Sequence, residues 1–265
     1  MGFFRRTSAG HRATAIPRGY RVYAVGDVHG RRDLLDRMLE NIEEDIAGRA
    51  KATNLLVFLG DLIDRGPASR EVIERVRTYR HPDIRVVALV GNHEEVLLRL
   101  LRGDGEHLYQ WLRFGGAECA KSYGLDPVRL KRMDEKRAIA ELQKAIPPEH
   151  SAFLERLSDT VEVGKYLFVH AGLRPGVALR EQDQTDLRWI REPFLESEVD
   201  HGVIVVHGHT ISSEIDIRVN RIGLDTGAYR TGVLSAVALE GDERWFLSSS
   251  CGNGREPTTS GMVAS

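Results

Sequence analysis

The chain has 265 residues, 42% of them hydrophobic, with 37 Lys+Arg against 39 Asp+Glu and only two cysteines. That length suits one single-core α/β domain. A net charge of −2 supplies no global field for nucleic acid or an anionic membrane, no apolar run nears the roughly 18 residues of a membrane span, and Cys119 with Cys251 makes no disulfide framework, which fits a reducing, cytoplasmic setting.

Residues 1–19 are basic and small, with no apolar stretch that would mark a signal peptide, and are expected to form a flexible N-terminal arm. Tyr20–Val25 is a β-prone run. After Gly26-Asp27-Val28-His29-Gly30, the apolar residues Leu34, Leu35, Met38, Leu39, Ile42 and Ile46 fall at helical intervals, giving strand, loop, helix. The same order follows at Leu55–Leu59, Gly60–Gly66 and Val72, Ile73, Val76, Tyr79, and again at Ile84–Val90, Gly91–His93 and Val96, Leu97, Leu100. Three such units predict a parallel sheet with crossover helices. The stretch 106–157 is helical in composition and reads as an insertion, with packing against the sheet as its expected role. Strands return at Tyr166–Val169, Val203–Val206, Val233–Leu239 and Arg244–Leu247, short and expected to be antiparallel. Residues 248–265 are rich in Ser, Gly and Thr and read as a flexible tail.

Five apolar runs end in metal-ligand residue types: Asp27 and His29, Asp61 and Asp64, Asn92 and His93, His170, and His207 with His209. The C-terminal edge of strands is where open α/β folds place their sites. One histidine after a strand is an ordinary loop residue, and an aspartate there is commonly a helix cap. Five strand ends that all carry imidazole, carboxylate or amide are not explained that way. Asp, His and Asn donors without thiolate suit Mn, Fe or Zn. One ion would leave donors over, whereas two ions about 3.5 to 4 Å apart sharing a carboxylate would use them, and that arrangement serves in-line phosphoester hydrolysis.

Gly26-Asp27-Val28-His29-Gly30, Gly60-Asp61-Leu62-Ile63-Asp64-Arg65-Gly66 and Gly91-Asn92-His93-Glu94 resemble, in order, the three signature blocks of the PPP-type metallophosphatases. His170-Ala171-Gly172 and Gly208-His209-Thr210 resemble the two later histidine blocks. The resemblance runs from about Tyr20 to Leu247. It implies an α/β fold, with a metallophosphoesterase-type β-sandwich core of mixed sheets flanked by helices, forming one catalytic domain over 20–247 that contains the helical insertion. It further implies a dinuclear site, most simply with two Mn ions and with Fe or Zn as alternatives. Asp27 and His29 would hold the first ion, Asp61 would bridge, and Asn92, His170 and His209 would hold the second. His93 would be the general acid, oriented by Asp64, and Arg65 would grip phosphate oxygens. A second arginine is expected before the last histidine: Arg191 in Trp189-Ile190-Arg191, with Arg188 as competitor on the opposite face of an extended segment. His207 has no ligand role in this pattern and reads as a supporting residue, Asp225-Thr226-Gly227 as a strand-to-turn segment near the site, and Glu94 as a cap on the helix it opens.

Other phosphoryl-transfer classes fail on the same text. A cysteine phosphatase needs an arginine six positions beyond its thiolate, but Leu125 and Pro257 stand there. The sole Gly-Lys pair, Gly164-Lys165, precedes Tyr166 rather than the Ser or Thr of a phosphate loop. Within the resembling superfamily, symmetrical dinucleoside tetraphosphate hydrolases typically lack the aspartate that is Asp64 here and carry Asp where Glu94 stands. Asp64, Glu94 and the His209-Thr210 pair therefore favour a bacterial-type Ser/Thr or dual-specificity protein phosphatase, taking phosphoproteins or phosphopeptides and small phosphoesters, with the tetraphosphate hydrolase as the alternative. Neither nucleic acid nor membrane is an expected partner.

Overall fold

A computed structural model describes residues 15–250. Two mixed five-stranded sheets, flanked by helices, form an α/β structure. The first sheet holds β1 (Tyr20–Val25), β2 (Thr53–Phe58), β3 (Ile84–Ala88), β9 (Val233–Glu240) and β10 (Glu243–Ser250) in the order β10-β9-β1-β2-β3. The second holds β4 (Thr160–Val163), β5 (Tyr166–Val169), β6 (Ile204–His207), β7 (Asp216–Ile217) and β8 (Arg221–Gly223) in the order β4-β5-β6-β8-β7.

β1, β2 and β3 run parallel, joined by α1 (Arg32–Ala47) and α2 (Ser69–Thr78), and α3 (Asn92–Leu101) follows β3. Their strands are apolar on both faces because both faces are covered. Along β1 and β2, Tyr23, Val25, Leu56 and Phe58 join the helices in one core, while Val22, Ala24 and Val57 pack against Tyr166, Phe168, Val206 and Ile222 of the second sheet. The opposite face of that sheet buries Leu167, Val169 and Val205 against Leu187 of α9 (Gln184–Trp189), Ile190 and Phe194.

The expected antiparallel pairing of the later strands holds for β4 with β5, β7 with β8 and β9 with β10, but β5, β6 and β8 are mutually parallel. The connections decide this. β9 and β10 are separated by two residues, enough for a hairpin, whereas the chain between β5 and β6 is long enough for the crossover that parallel neighbours require.

The 106–157 stretch contains α4 (Leu108–Trp111), a π-helical turn at Leu112–Gly116, α5 (Ala117–Ser122), α6 (Pro127–Arg132), α7 (Glu135–Ala145) and α8 (Pro148–Leu154). Its Leu108, Leu130 and Leu142 share the core of α1 to α3. The arm and tail expected at 1–19 and 248–265 fall mostly outside the described residues. At the arm's end, however, Ile16 is fully buried and its N–H donates to the Gly241 carbonyl at 2.7 Å, and β10 continues to Ser250. The packed chain thus extends beyond 20–247 at both ends.

Candidate active site

All five strand-end blocks meet at one edge of the sandwich. Sharp turns there bend each chain toward a common centre. Among the described residues, the non-glycine positions with positive φ are His29 (45°), Asp61 (47°), Asp64 (70°), Arg65 (64°) and His209 (65°), every one of them in these loops. Such conformations cost on the order of 1–3 kcal/mol each and persist only where the surroundings impose them. Two glycines permit the close approach: a Cβ on Gly91 would fall on Asp61 Oδ1, and one on Gly208 on Asp27 Oδ1.

Asp61 lies at the centre. Its Oδ1 accepts the His93 backbone N–H at 3.1 Å and stands 3.4 Å from His170 Nε2, while its Oδ2 is 3.5 Å from His29 Nε2. His170 Nδ1 donates to the Leu59 carbonyl and His29 Nδ1 to the Ile63 carbonyl, both at 2.8 Å. Those bonds fix the tautomers and point both Nε2 lone pairs inward. Asn92 Oδ1 lies 3.1 Å from His170 Nε2 and 3.0 Å from His209 Nδ1. Asp27 accepts the His209 backbone N–H and stands 4.0 Å from His29 Nε2. The six residues expected as ligands are all buried and form one cluster.

The electrostatics fit a cation site. Burial lowers His29 to about 3 and His209 to about 2, so both rings are neutral at physiological pH. Among the described residues their buried Nε2 atoms find no hydrogen-bond partner, the state in which an imidazole can ligate. Burial raises the Asp61 carboxyl, but the four surrounding imidazoles overcome this and hold it well below the ordinary range. Asp27 is pushed well above its ordinary value by burial and then by the charges of Asp225 and Asp61, and Asp225 is raised to about 6, first by burial. Positive charge placed among three converging carboxylates would relieve both. Among the described residues two donor triads share Asp61: Asp61 with His170 and His209, and Asp61 with His29 and His93. The second contains His93, which the sequence reading kept apart from the ligands.

His93 is engaged at both ring nitrogens. Nδ1 lies 2.6 Å from Asp64 Oδ2, and Arg65 Nη2 donates toward Nε2 at 3.2 Å. Burial would lower its pKa, but Asp61 and Asp64 raise it to about 9. The Arg65 contact requires a bare Nε2, so the ring is poised rather than committed: moving Arg65 onto a phosphate oxygen would leave Nε2 free to carry a proton. Arg65 also lies 4.9 Å over the Tyr229 ring, which stands nearly perpendicular to His29 with ring centroids 5.4 Å apart.

The segment around the second arginine is not extended as expected, because residues 184–189 form α9. Arg188, inside that helix, is held by Asp159 at 2.6 Å and Glu95 at 3.4 Å. Arg191, beyond the helix end, lines a cavity of about 580 Å³ together with Arg65, Asn92 and His93. The same cavity is walled farther out by Arg99, Phe114 and Trp189.

Three contributors were missed or underread in the sequence. Glu94 does cap the start of α3 through Gly91, but its carboxylate takes four backbone N–H groups in all: Asp61 and Gly91 at Oε2, Leu62 and Ile63 at Oε1. Trp111 of the insertion donates from Nε1 to Asp64 Oδ2 at 2.9 Å. Asp225, one turn before α10 (Ala228–Thr231), faces Asp27, and the Asp225-Thr226-Gly227 motif was its only signal. His207 is buried beside Phe194, with ring centroids 5.1 Å apart, and lies outside both donor triads.

Histidines and aspartates sharing one carboxylate at the edge of a two-sheet sandwich define the metallophosphoesterase class of hydrolases. The family model for calcineurin-like phosphoesterases matches residues 20–231, and the chain belongs to that family. It is 28% identical over 223 residues to serine/threonine-protein phosphatase 2 of Escherichia coli (strain K12), covering 81% of this chain and 90% of that protein. It is also 29% identical over 227 residues to the asymmetrical bis(5'-nucleosyl)-tetraphosphatase of Bacillus subtilis (strain 168), covering 77% and 84%. The fold is shared with a crystal structure provisionally described as a diadenosine tetraphosphatase, at a TM-score of 0.63 and 22% identity, over 88% of this chain and 95% of that one.

Proposed function

We propose that the protein is a dinuclear metal-dependent phosphomonoester hydrolase acting on phosphoproteins at Ser or Thr, with dual specificity included. The observation that carries this reading is the buried Asp64–His93 pair at 2.6 Å, set beside Arg65 and the Asp61 cluster. Asp27 and His29 would hold one ion, Asn92, His170 and His209 would hold the other, and Asp61 would serve both. His93 is assigned to proton transfer rather than to ligation because Asp64 holds its Nδ1 at 2.6 Å and its Nε2 faces the phosphate-gripping Arg65. Mn fits a donor set of carboxylate, imidazole and amide without thiolate, with Fe or Zn as alternatives. Such ions, when bound, activate water at neutral pH and neutralise phosphoryl oxygens.

The chain's own groups supply the rest. Arg65 and Arg191 grip the phosphate in planar forks and orient it. His93 Nε2 gives its proton to the leaving alkoxide oxygen, while Asp64 accepts the Nδ1–H bond and keeps the ring aimed. The catalytic domain spans the expected 20–247 together with the packed ends at Ile16 and Ser250, with 106–157 as its insertion, and the free, buried Cys119 suits a reducing cytoplasm.

A second reading, hydrolysis of dinucleoside polyphosphates, is favoured by the outer cavity. Arg99 adds a cation beyond the phosphate site, and Phe114 and Trp189, 57% and 39% exposed, offer ring faces to a base. An activity panel at fixed Mn²⁺ decides: phosphopeptides should exceed dinucleoside polyphosphates in kcat/KM, and the opposite ranking would replace the first reading by the second.

A further inference from the structure

The helical insertion enters the active site through two consecutive contacts. Trp111, the last residue of α4 and only 4% exposed, donates its indole N–H to Asp64 Oδ2 at 2.9 Å. That oxygen is the one that accepts His93 Nδ1–H at 2.6 Å. Four residues on, inside the π-helical turn, the Gly115 carbonyl accepts the Arg65 backbone N–H at 3.0 Å. Gly115 has φ of 118°, and a Cβ there would stand 2.6 Å from Arg65 Cγ and 2.7 Å from Arg65 N. A Cβ on Gly116 would fall into the Trp111 ring itself. The turn is therefore shaped around both the indole and the acid-bearing loop, and π-turns of this kind often sit at functional sites.

We propose that Trp111 is a positioning residue for proton donation, fixing the Asp64 carboxylate and through it the His93 ring. The argument rests on the assignment of His93 as the acid. Asp64 is fully buried, with the Cys119 thiol as a further, weak neighbour; its two strong donors, the indole and the imidazole, both meet at Oδ2, so what that oxygen holds governs the group's orientation. With only the imidazole on Oδ2, carboxylate and ring can turn together. The indole, mounted on a different element and locked by packing, removes that freedom. Proton transfer in the transition state is sensitive to such aim, because a small misplacement of a catalytic group lowers rate far more than it lowers binding. A residue that merely fills space would lack this consequence, since phenylalanine would fill most of the same volume.

The test uses full-length Mn²⁺-loaded Trp111→Phe with two substrates, p-nitrophenyl phosphate and a phosphoserine peptide. Loss of aim should matter most for the poor alkoxide leaving group. We expect kcat on the phosphoserine peptide to fall on the order of tenfold with KM nearly unchanged, against a loss of at most about threefold on the aryl ester. In an Asp64→Asn background the same change should add almost nothing, because both act on one unit. Equal losses on the two substrates, or losses that add in the double variant, would overturn the proposal and leave Trp111 as packing. His93→Asn, run alongside, reports on the parent assignment: no leaving-group dependence there would sink the acid role of His93 whatever Trp111 does. Should Trp111→Phe fail to fold, the indole Nε1–H resonance of Zn²⁺-loaded wild type decides. A shift of that resonance in Asp64→Asn upholds the contact, and an unmoved resonance overturns it.

Discussion

Replacing Glu94 by Gln should damage the framework of the site more than its chemistry. The carboxylate is fully buried and takes N–H groups from Asp61 at 2.8 Å, Gly91 at 2.9 Å, Leu62 at 2.8 Å and Ile63 at 3.3 Å. Glutamine keeps one acceptor oxygen and turns an NH₂ toward two of those donors, so whichever way the amide faces, two backbone N–H groups lose their partner. The cheaper orientation gives up the Oε1 side, where the Ile63 bond is already long. Burial, and then the Asp61 charge, raises the Glu94 carboxyl to about 7, so above that pH the bonds are charge-assisted and contribute roughly 1.5–3 kcal/mol each, which puts the loss at about 3–5 kcal/mol. For a domain of this size that is a fall in Tm on the order of 10 °C. Urea unfolding of chelated protein measures the framework term alone, and repeating it at saturating Mn²⁺ adds the linked loss of metal binding. A change below about 1 kcal/mol in chelated protein would refute the argument, because it would mean that the strained 61–65 loop is held by something other than Glu94.

Chelated protein should be inactive and recover with Mn²⁺, while Asp61→Asn should not recover; metal content by atomic emission and turnover of p-nitrophenyl phosphate check both, and full activity without metal would exclude the dinuclear reading. Arg191→Ala should lower kcat/KM by on the order of a hundredfold, with Arg191→Lys recovering little, whereas Arg188→Ala, whose partners Asp159 and Glu95 keep Gln184 and Trp189 as donors, should be mild; steady-state kinetics with one phosphopeptide rank them, and the reverse order would move the phosphate clamp to Arg188. Burial raises the Cys119 thiol well above its ordinary value, so the folded chain keeps a proton that the unfolded chain releases above about pH 8.5. Stability from this group is therefore complete below that pH and falls as pH rises, by up to about 1.4 kcal/mol per unit. Urea midpoints from pH 8 to 10 should show a flatter decline in Cys119→Ala than in wild type, and parallel curves would discount the shift.

The sequence by itself located β1 at Tyr20–Val25 and the five strand-end blocks, because each is a local pattern: an apolar run, a glycine turn and a donor within a few residues. It also marked Asp64 and Arg65 as neighbours of the donors. It could not choose between Arg188 and Arg191 on physical grounds, since six residues carry too little periodicity to separate a short helix from a strand, and α9 reverses the geometry on which the choice depended. Strand direction in the second sheet was equally out of reach, because it follows from where the β5–β6 connection passes rather than from the strands' composition. The contacts that finish the site are long-range: Glu94 reaches a loop about thirty residues back, and Trp111 meets Asp64 across 47 residues. No local signal encodes such a meeting. It exists only once α3 and the insertion have packed on the same core, which brings a buried carboxylate and an indole N–H to the one loop whose strained backbone needs both.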